Sequence, residues 1–434
     1  MEQDWFFYSI TLFTFSVIFA FCYIRHVYTF FERKRIPKAG YPTFPFGHLY
    51  NVLFEKVPIF MQLWKFYNRF KRKKCKFGGF YMFLKPAIMI VDAKLIQLFF
   101  TDVFENEERN DLDTEFCEEM LCSVLKSVQK VWPEVGQIGE KEINFTQILG
   151  KEFVELCMQE FFSTQLYEIK RPSIFPLFRK CVSLTYPQLC KSKAFRKKIL
   201  EEIVKRRKKT NLKEDNVLQV LQKNGFSPSD TVDFILNLVD YLEKSNNLIL
   251  FTLYELSLNR EIQDDLRGEI LRFRKNKGTF TYTELKQLTY LETVICETLR
   301  KYPIKPFVNK ICKNSFEQND MKFDKNQTVF LSIFGIHHDV DNYINPELFD
   351  PDRFSEENEM FIDSIKYLPF GHQIKNDFDS LYVKLIMKLV LIELLSKYEF
   401  SLGKRAPKCV TFDENFFEIK SKEDMWLKIK KVCN

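Results

Sequence analysis

Glu297 and Arg300 stand three apart in YLETVICETLRKYP, residues 290–303, where apolar residues recur at helical spacing. On a helix that spacing puts a carboxylate and a guanidinium on one face, so they can pair. Such pairs are common on helix surfaces and contribute little by themselves. Here the helix ends in Lys301-Tyr302-Pro303, and Pro351-Asp352-Arg353-Phe354 supplies a second arginine downstream. A carboxylate with two guanidiniums in that order is a more specific arrangement. The same residue types exclude other chemistry: the 11 cysteines are scattered without a C-x-x-C pair, and none of the five histidines has zinc-ligand spacing with them. The pattern reads as reduced thiols in a cytosol-facing domain.

These residues must be positioned by a mainly helical chain. Ser227-Pro228-Ser229-Asp230 is a helix start, and apolar positions from Val232 through Leu258 continue long enough for a central helix. A second helix is expected over Tyr282 to Lys301. Short strands are expected at Phe307 to Cys312, Met321 to Phe323 and Thr328 to Ile333, then a loop from Pro346 to Phe354. A helix from Leu381 to Tyr398 is apolar on nearly all faces and should be buried. Nearer the start, Gly78 to Val91 reads as a strand pair with its turn at Lys85-Pro86. The basic run Arg196 to Lys209 is most simply a solvated helix face and loop.

No charge interrupts Trp5 to Ile24, a length that crosses a bilayer as a helix. Acidic Glu2 and Asp4 precede it and no A-x-A site follows, which favours an uncleaved anchor over a signal peptide. Arg25, Arg33, Lys34 and Arg35 then place the remainder on the cytosolic side. Three prolines and two glycines make Arg35 to Gly47 a stiff linker. The division is therefore an anchor (1–24), a basic, proline-rich linker (25–47) and one domain (48–434). Its 434 residues, 46% hydrophobic, can fill a sizeable core, and a net charge of +7 suits a membrane surface or acidic partner better than nucleic acid. The 47 phenylalanines are core filling rather than evidence for a pocket.

Taken together, YLETVICETLRKYP, FGIHHDVDNYINPELFDPDRFSEEN (334–358), YLPFG (367–371) and the long apolar helix ending LLSKYEF resemble the cytochrome P450 superfamily, most of all its insect-type microsomal members. The resemblance implies the P450 fold, mainly α with small sheets behind a transmembrane helix. It implies a structural network of Glu297, Arg300 and Arg353 under a haem, a membrane reductase delivering NADPH-derived electrons, an apolar small-molecule substrate and residence on the endoplasmic reticulum membrane.

The pattern fails where the family meets its haem. Anchored on Phe370-Gly371, the loop F-G-x-G-x-R-x-C-x-G aligns with Phe370 to Asp379, placing Asp377 at the cysteine that binds iron, Lys375 at the arginine, and Gln373 and Asp379 at the later glycines. A thiolate pushes electron density through iron toward O–O cleavage, whereas a carboxylate is a harder, weaker donor. His372, in the same loop, is a minor candidate ligand, with an exposed loop histidine as the ordinary reading. In the central helix the oxygen-activating A-G-x-[DE]-T aligns with Asp240-Tyr241-Leu242-Glu243-Lys244, and only Glu243 fits. Lys244 in an apolar pocket would be costly, so it should point elsewhere or pair with Asp240 at i−4. A propionate-gripping helix is missing from the shortened stretch between about 105 and 132, and Trp132 is not its tryptophan.

The favoured expectation is a degenerate member that keeps the fold without ordinary monooxygenase activity. The alternatives are an active haem-binding oxidoreductase, through another ligand or a faulty gene model, and an unrelated membrane-anchored interaction protein.

Overall fold

A computed structural model describes residues 2–100, 116, 118–125, 142–149, 220–221, 223–275, 281–318, 321–359, 365–371, 378–415 and 417–432. The chain divides into two compact units, Met1–Glu108 with Phe307–Gly335, and Arg109–Pro306 with Ile336–Asn434.

The first unit opens with helix α1 (Glu2–Tyr28), which contains the candidate span Ile10–Tyr28 with mean hydropathy 1.7 and no part of it buried. Its apolar side chains have no core to enter, as expected of a lipid-facing helix. The proline-rich segment after it is packed. Phe31 and Ala39 are buried, and the Ala39 amide donates to the Gly79 carbonyl at 2.8 Å. Gly79 permits this, because the Phe31 ring occupies the space a Cβ would take.

Helix α2 (Ile59–Arg72) and strands β1 (Phe77–Met82) and β2 (Lys85–Ile90) follow. The strands pair antiparallel in the register Tyr81 with Pro86, so the turn lies at Phe83-Leu84 rather than at the expected Lys85-Pro86. Phe83 takes the left-handed conformation (φ 56°), and Pro86 sits near the strand start, where its missing N–H is tolerated. Helix α3 (Ala93–Phe99) is capped by Asp92.

In the second unit, β3 (Glu142–Asn144) precedes the central helix α4 (Pro228–Leu258). Ser227 caps α4 through the Asp230 amide at 3.2 Å with proline at the first turn, as the sequence predicts. After α5 (Arg260–Arg274), the helix expected over 282–301 is interrupted. A capping box at Thr281 and Glu284 closes the short turn Tyr282–Leu285, and α6 (Thr289–Lys301) starts afresh. Glu269 of α5 supplies the cap that α6 lacks locally, accepting from the Tyr290 and Leu291 amides at 2.9 Å each.

The chain then returns to the first unit for β4 (Val308–Ile311), the hairpin of β5 (Phe316–Gln318) and β6 (Met321–Phe323), and β7 (Thr328–Leu331). The sheet order is β1-β2-β7-β4, with β2 and β7 parallel. Ile333, expected to end a strand, instead opens the short helix Ile333–His337.

Helix α7 (Phe378–Leu395) is buried on nearly every face, as its composition requires. Tyr398 leaves it to begin β8 (Tyr398–Leu402), which pairs with β9 (Trp426–Lys431), and β9 pairs with β3. Gln263 of α5 joins this sheet to the helices, accepting from the Phe400 amide at 2.8 Å and donating to the Phe400 carbonyl at 3.0 Å.

Candidate functional site

Helix α6 carries its ion pair into the interior of the second unit. Glu297 and Arg300 are both 0% exposed, and the guanidinium grips the carboxylate in a fork, Nε to Oε2 at 2.7 Å and Nη2 to Oε1 at 2.8 Å. The remaining donors of Arg300 go to carbonyls, of His337 at 2.8 Å and Pro346 at 2.7 Å. Glu297 Oε1 also accepts from the Asp350 amide at 3.0 Å and faces Arg353 Nε at 3.6 Å, an electrostatic contact beyond hydrogen-bond reach. The turn Pro351–Phe354 is thus tied to α6. Burial pushes the Glu297 carboxyl up, against the pull of Arg300, the Asp350 amide and Arg353. The two-pronged pairing keeps it ionised at neutral pH.

His337 extends this network, and sequence reasoning gave it no role. Its ring is completely buried and stacks on Tyr367 at 5.7 Å. The Leu368 amide donates to Nε2 at 2.9 Å, so the proton sits on Nδ1 and is donated to the Arg300 carbonyl at 2.9 Å. Burial, then the Arg300 charge, holds its pKa well below the ordinary histidine value, so the ring is neutral. Tyr367 in turn donates to the Cys296 carbonyl of α6 at 3.0 Å. The segment 367–371 is therefore fixed from one side by α6 and ends at buried Phe370 and Gly371, whose φ of 84° is left-handed. The signal for His337 was the second half of the FGIHHD motif, which reads as a loop until the fold buries it.

Replacing His337 with phenylalanine keeps the stacked ring and strands the Leu368 amide and the Arg300 carbonyl. We expect a loss of about 2–4 kcal/mol in urea unfolding, with earlier proteolytic cleavage next to Gly371. A variant as stable and protease-resistant as the parent chain would refute this linkage.

The positions that the sequence aligns with the oxygen motif, Asp240 to Lys244, lie on α4. Lys244 pairs with Asp240 at 2.7 Å, the i−4 partner the sequence suggests, and with Glu418 at 3.1 Å, which nothing in the sequence announced. Its side chain is 11% exposed. Burial alone would push the ammonium down, but Glu418 and Asp240 together outweigh it and hold its pKa above the usual value. Glu243 is half-buried, and Tyr241 receives the Ser245 hydroxyl on its carbonyl at 2.7 Å. Below this turn α4 is locked to α6 by Thr252 against Thr298 at 3.1 Å and by Phe251 stacked on Tyr302 at 4.2 Å. His372, Lys375 and Asp377, the remaining loop candidates, lie outside the described residues, as does most of the shortened stretch 105–132.

The family model described as Cytochrome P450 matches residues 118–427. The chain belongs to the cytochrome P450 family. It is similar to cytochrome P450 6k1 of Blattella germanica, 23% identical over 90% of this chain and 91% of that protein. The probable cytochrome P450 6a13 of Drosophila melanogaster is 27% identical over 81% of this chain and 71% of its own length. Cytochrome P450 6j1 of Blattella germanica is 31% identical over 52% of this chain, a match that spans 47% of that relative. Family membership makes haem the expected cofactor.

Proposed function

We propose that this chain is a membrane-anchored cytochrome P450 scaffold that has lost ordinary monooxygenase chemistry. The observation that carries the reading is Lys244. Where relatives present a threonine hydroxyl, which can accept and donate a proton, this chain holds an ammonium between Asp240 and Glu418 at 2.7 and 3.1 Å. A charged ammonium has donors and no lone pair, so it cannot relay protons as a hydroxyl does. The donor set at the ligand position agrees: Asp377 supplies a carboxylate in place of a thiolate, and Gln373 and Asp379 replace the glycines of the loop. Cys296 on α6 offers no substitute, since it is buried and burial pushes its thiol up, away from the thiolate form. The residues do not suit a thiolate-bound haem.

The reading includes location on the endoplasmic reticulum membrane with the domain facing the cytosol, supported by α1 and the basic cluster Arg25, Arg33, Lys34 and Arg35. A reductase partner and an apolar substrate belong to the competing reading of an active enzyme. The test is the absorption spectrum of the reduced, carbon monoxide-treated protein expressed with added haem. We expect no haem band. A thiolate-type band overturns the proposal, and a histidine-type band shifts attention to His372. Resequencing the transcript across 104–120 and 370–380 is the companion check, because a recovered cysteine would show the active enzyme behind a faulty gene model.

A further inference from the structure

We propose that a cavity in the first unit, beside the membrane anchor, binds the phosphate of an anionic phospholipid headgroup. This inference rests on the membrane-anchor reading and is independent of whether haem binds.

The cavity measures about 480 Å³ and lies between the proline-rich segment after α1 and one face of α2. Three cations line it, Lys38 from the segment and Arg69 and Lys73 from α2. Lys38 is paired with Glu32, but no carboxylate among the described residues lies within ion-pair reach of Arg69 or Lys73. Two exposed, uncompensated cations on one wall favour an anion.

Two buried polar side chains, His48 and Gln62, share the same lining. His48 is 9% exposed, and the Tyr81 amide donates to its Nδ1 at 2.9 Å, which places the proton on Nε2. That N–H is turned to the Gly40 carbonyl of the same lining. Gln62, 7% exposed, donates from its amide to the His48 carbonyl at 3.4 Å, while its Oε1 accepts nothing. The phosphate is therefore left to Arg69 and Lys73, the two exposed cations of the lining. The free acceptor of Gln62 suits a hydroxyl or ammonium carried by the headgroup.

The surroundings select a lipid over a soluble anion. Tyr41 and Tyr50 line the cavity and are 89% and 41% exposed, and Phe44 and Phe54 nearby are 55% and 49% exposed. Phe54 packs edge-on against Phe46 at 4.9 Å and against Tyr50 at 5.0 Å, so the group is a preformed aromatic rim. Exposed aromatics around basic residues are the composition of a membrane–water interface. The anchor helix ends at Tyr28. Lys38 is ten positions further along the chain, a reach of at most about 35 Å, so the cavity is tethered close to the membrane surface.

The test uses the full chain in nanodiscs of equimolar phosphatidylcholine and phosphatidylserine, with co-bound lipid counted by native mass spectrometry after mild detergent extraction. Phosphatidylserine should be retained in preference to phosphatidylcholine. R69Q/K73Q should lower its retention about tenfold or more with an unchanged circular dichroism spectrum. Both side chains are exposed, so the fold should tolerate the change, and Lys73→Gln alone should give a smaller loss of the same sign. Equal retention of the two lipids, or retention unaffected by the substitutions, overturns the proposal. So does thermal stabilisation by inorganic phosphate that matches that by phosphatidylserine, since it would make the cavity a soluble-anion site. Failure of the chain to float with vesicles would refute the anchor itself and is a separate result.

Discussion

Replacing Arg300 by alanine is expected to destabilise the second unit by about 3–5 kcal/mol, enough to remove most of the folded protein from a soluble, detergent-extracted preparation. Arg300 is fully buried, and its loss would leave the Glu297 carboxylate without the fork that neutralises it. Three groups would be stranded together: that carboxylate and the carbonyls of His337 and Pro346. Arg353 cannot take over, because it approaches Glu297 at 3.6 Å and already donates to the Asn345 carbonyl. Arg300→Lys should fare little better, since one ammonium cannot reproduce a planar fork of five donors. Paired removal, Glu297→Leu with Arg300→Leu, should recover part of the loss by deleting both charges. Urea unfolding followed by circular dichroism checks this. A midpoint shift for Arg300→Ala no larger than that of an exposed control such as Arg260→Ala would show the network to be dispensable.

Acid is expected to destabilise the protein well before most carboxylates titrate. His48 and His337 both have folded pKa values below the unfolded histidine value of about 6.5, to about 4 for His48. For His48 the causes are burial first, then the charges of Arg69 and Lys38; for His337 they are burial and Arg300. A depressed folded pKa means the unfolded chain binds the proton first. The stability contributed by the neutral ring is therefore complete above pH 6.5 and is lost as the pH falls toward the folded value. Each histidine then costs about 1.4 kcal/mol per pH unit, reaching about 3 kcal/mol for His48 near pH 4. Glu297 and Glu418, whose carboxyls are raised by burial, act in the opposite direction, so the comparison of variants isolates the effect. His48→Gln should unfold at a urea midpoint that falls less steeply between pH 6.5 and 4.5 than that of the parent chain. Parallel slopes would show that His48 is protonated in the folded state.

Family membership was legible in local order: the E-x-x-R helix, the P-x-R-F loop and YLPFG each carry their residues within a few positions of one another. Helix α4 was legible down to its cap, because Ser227, Pro228 and the Asp230 amide all act within one turn. The break before α6 was not, because its cap comes from Glu269 on a different helix. The same distinction runs through the site. That Lys244 would take Asp240 follows from helical spacing alone, whereas Glu418 reaches it from the segment before β9, a meeting that no local pattern encodes. Sequence by itself determined most of the elements and the buried faces, since these depend on periodicity and neighbours in the chain. Only the tertiary structure decided that His337 would bridge Arg300 to Leu368, that Lys244 would close an ion pair with Glu418, and that His48 and Gln62 would be buried side by side. Those outcomes depend on which distant groups share a desolvated volume, where an unpaired polar atom is costly and must find its partner across the fold.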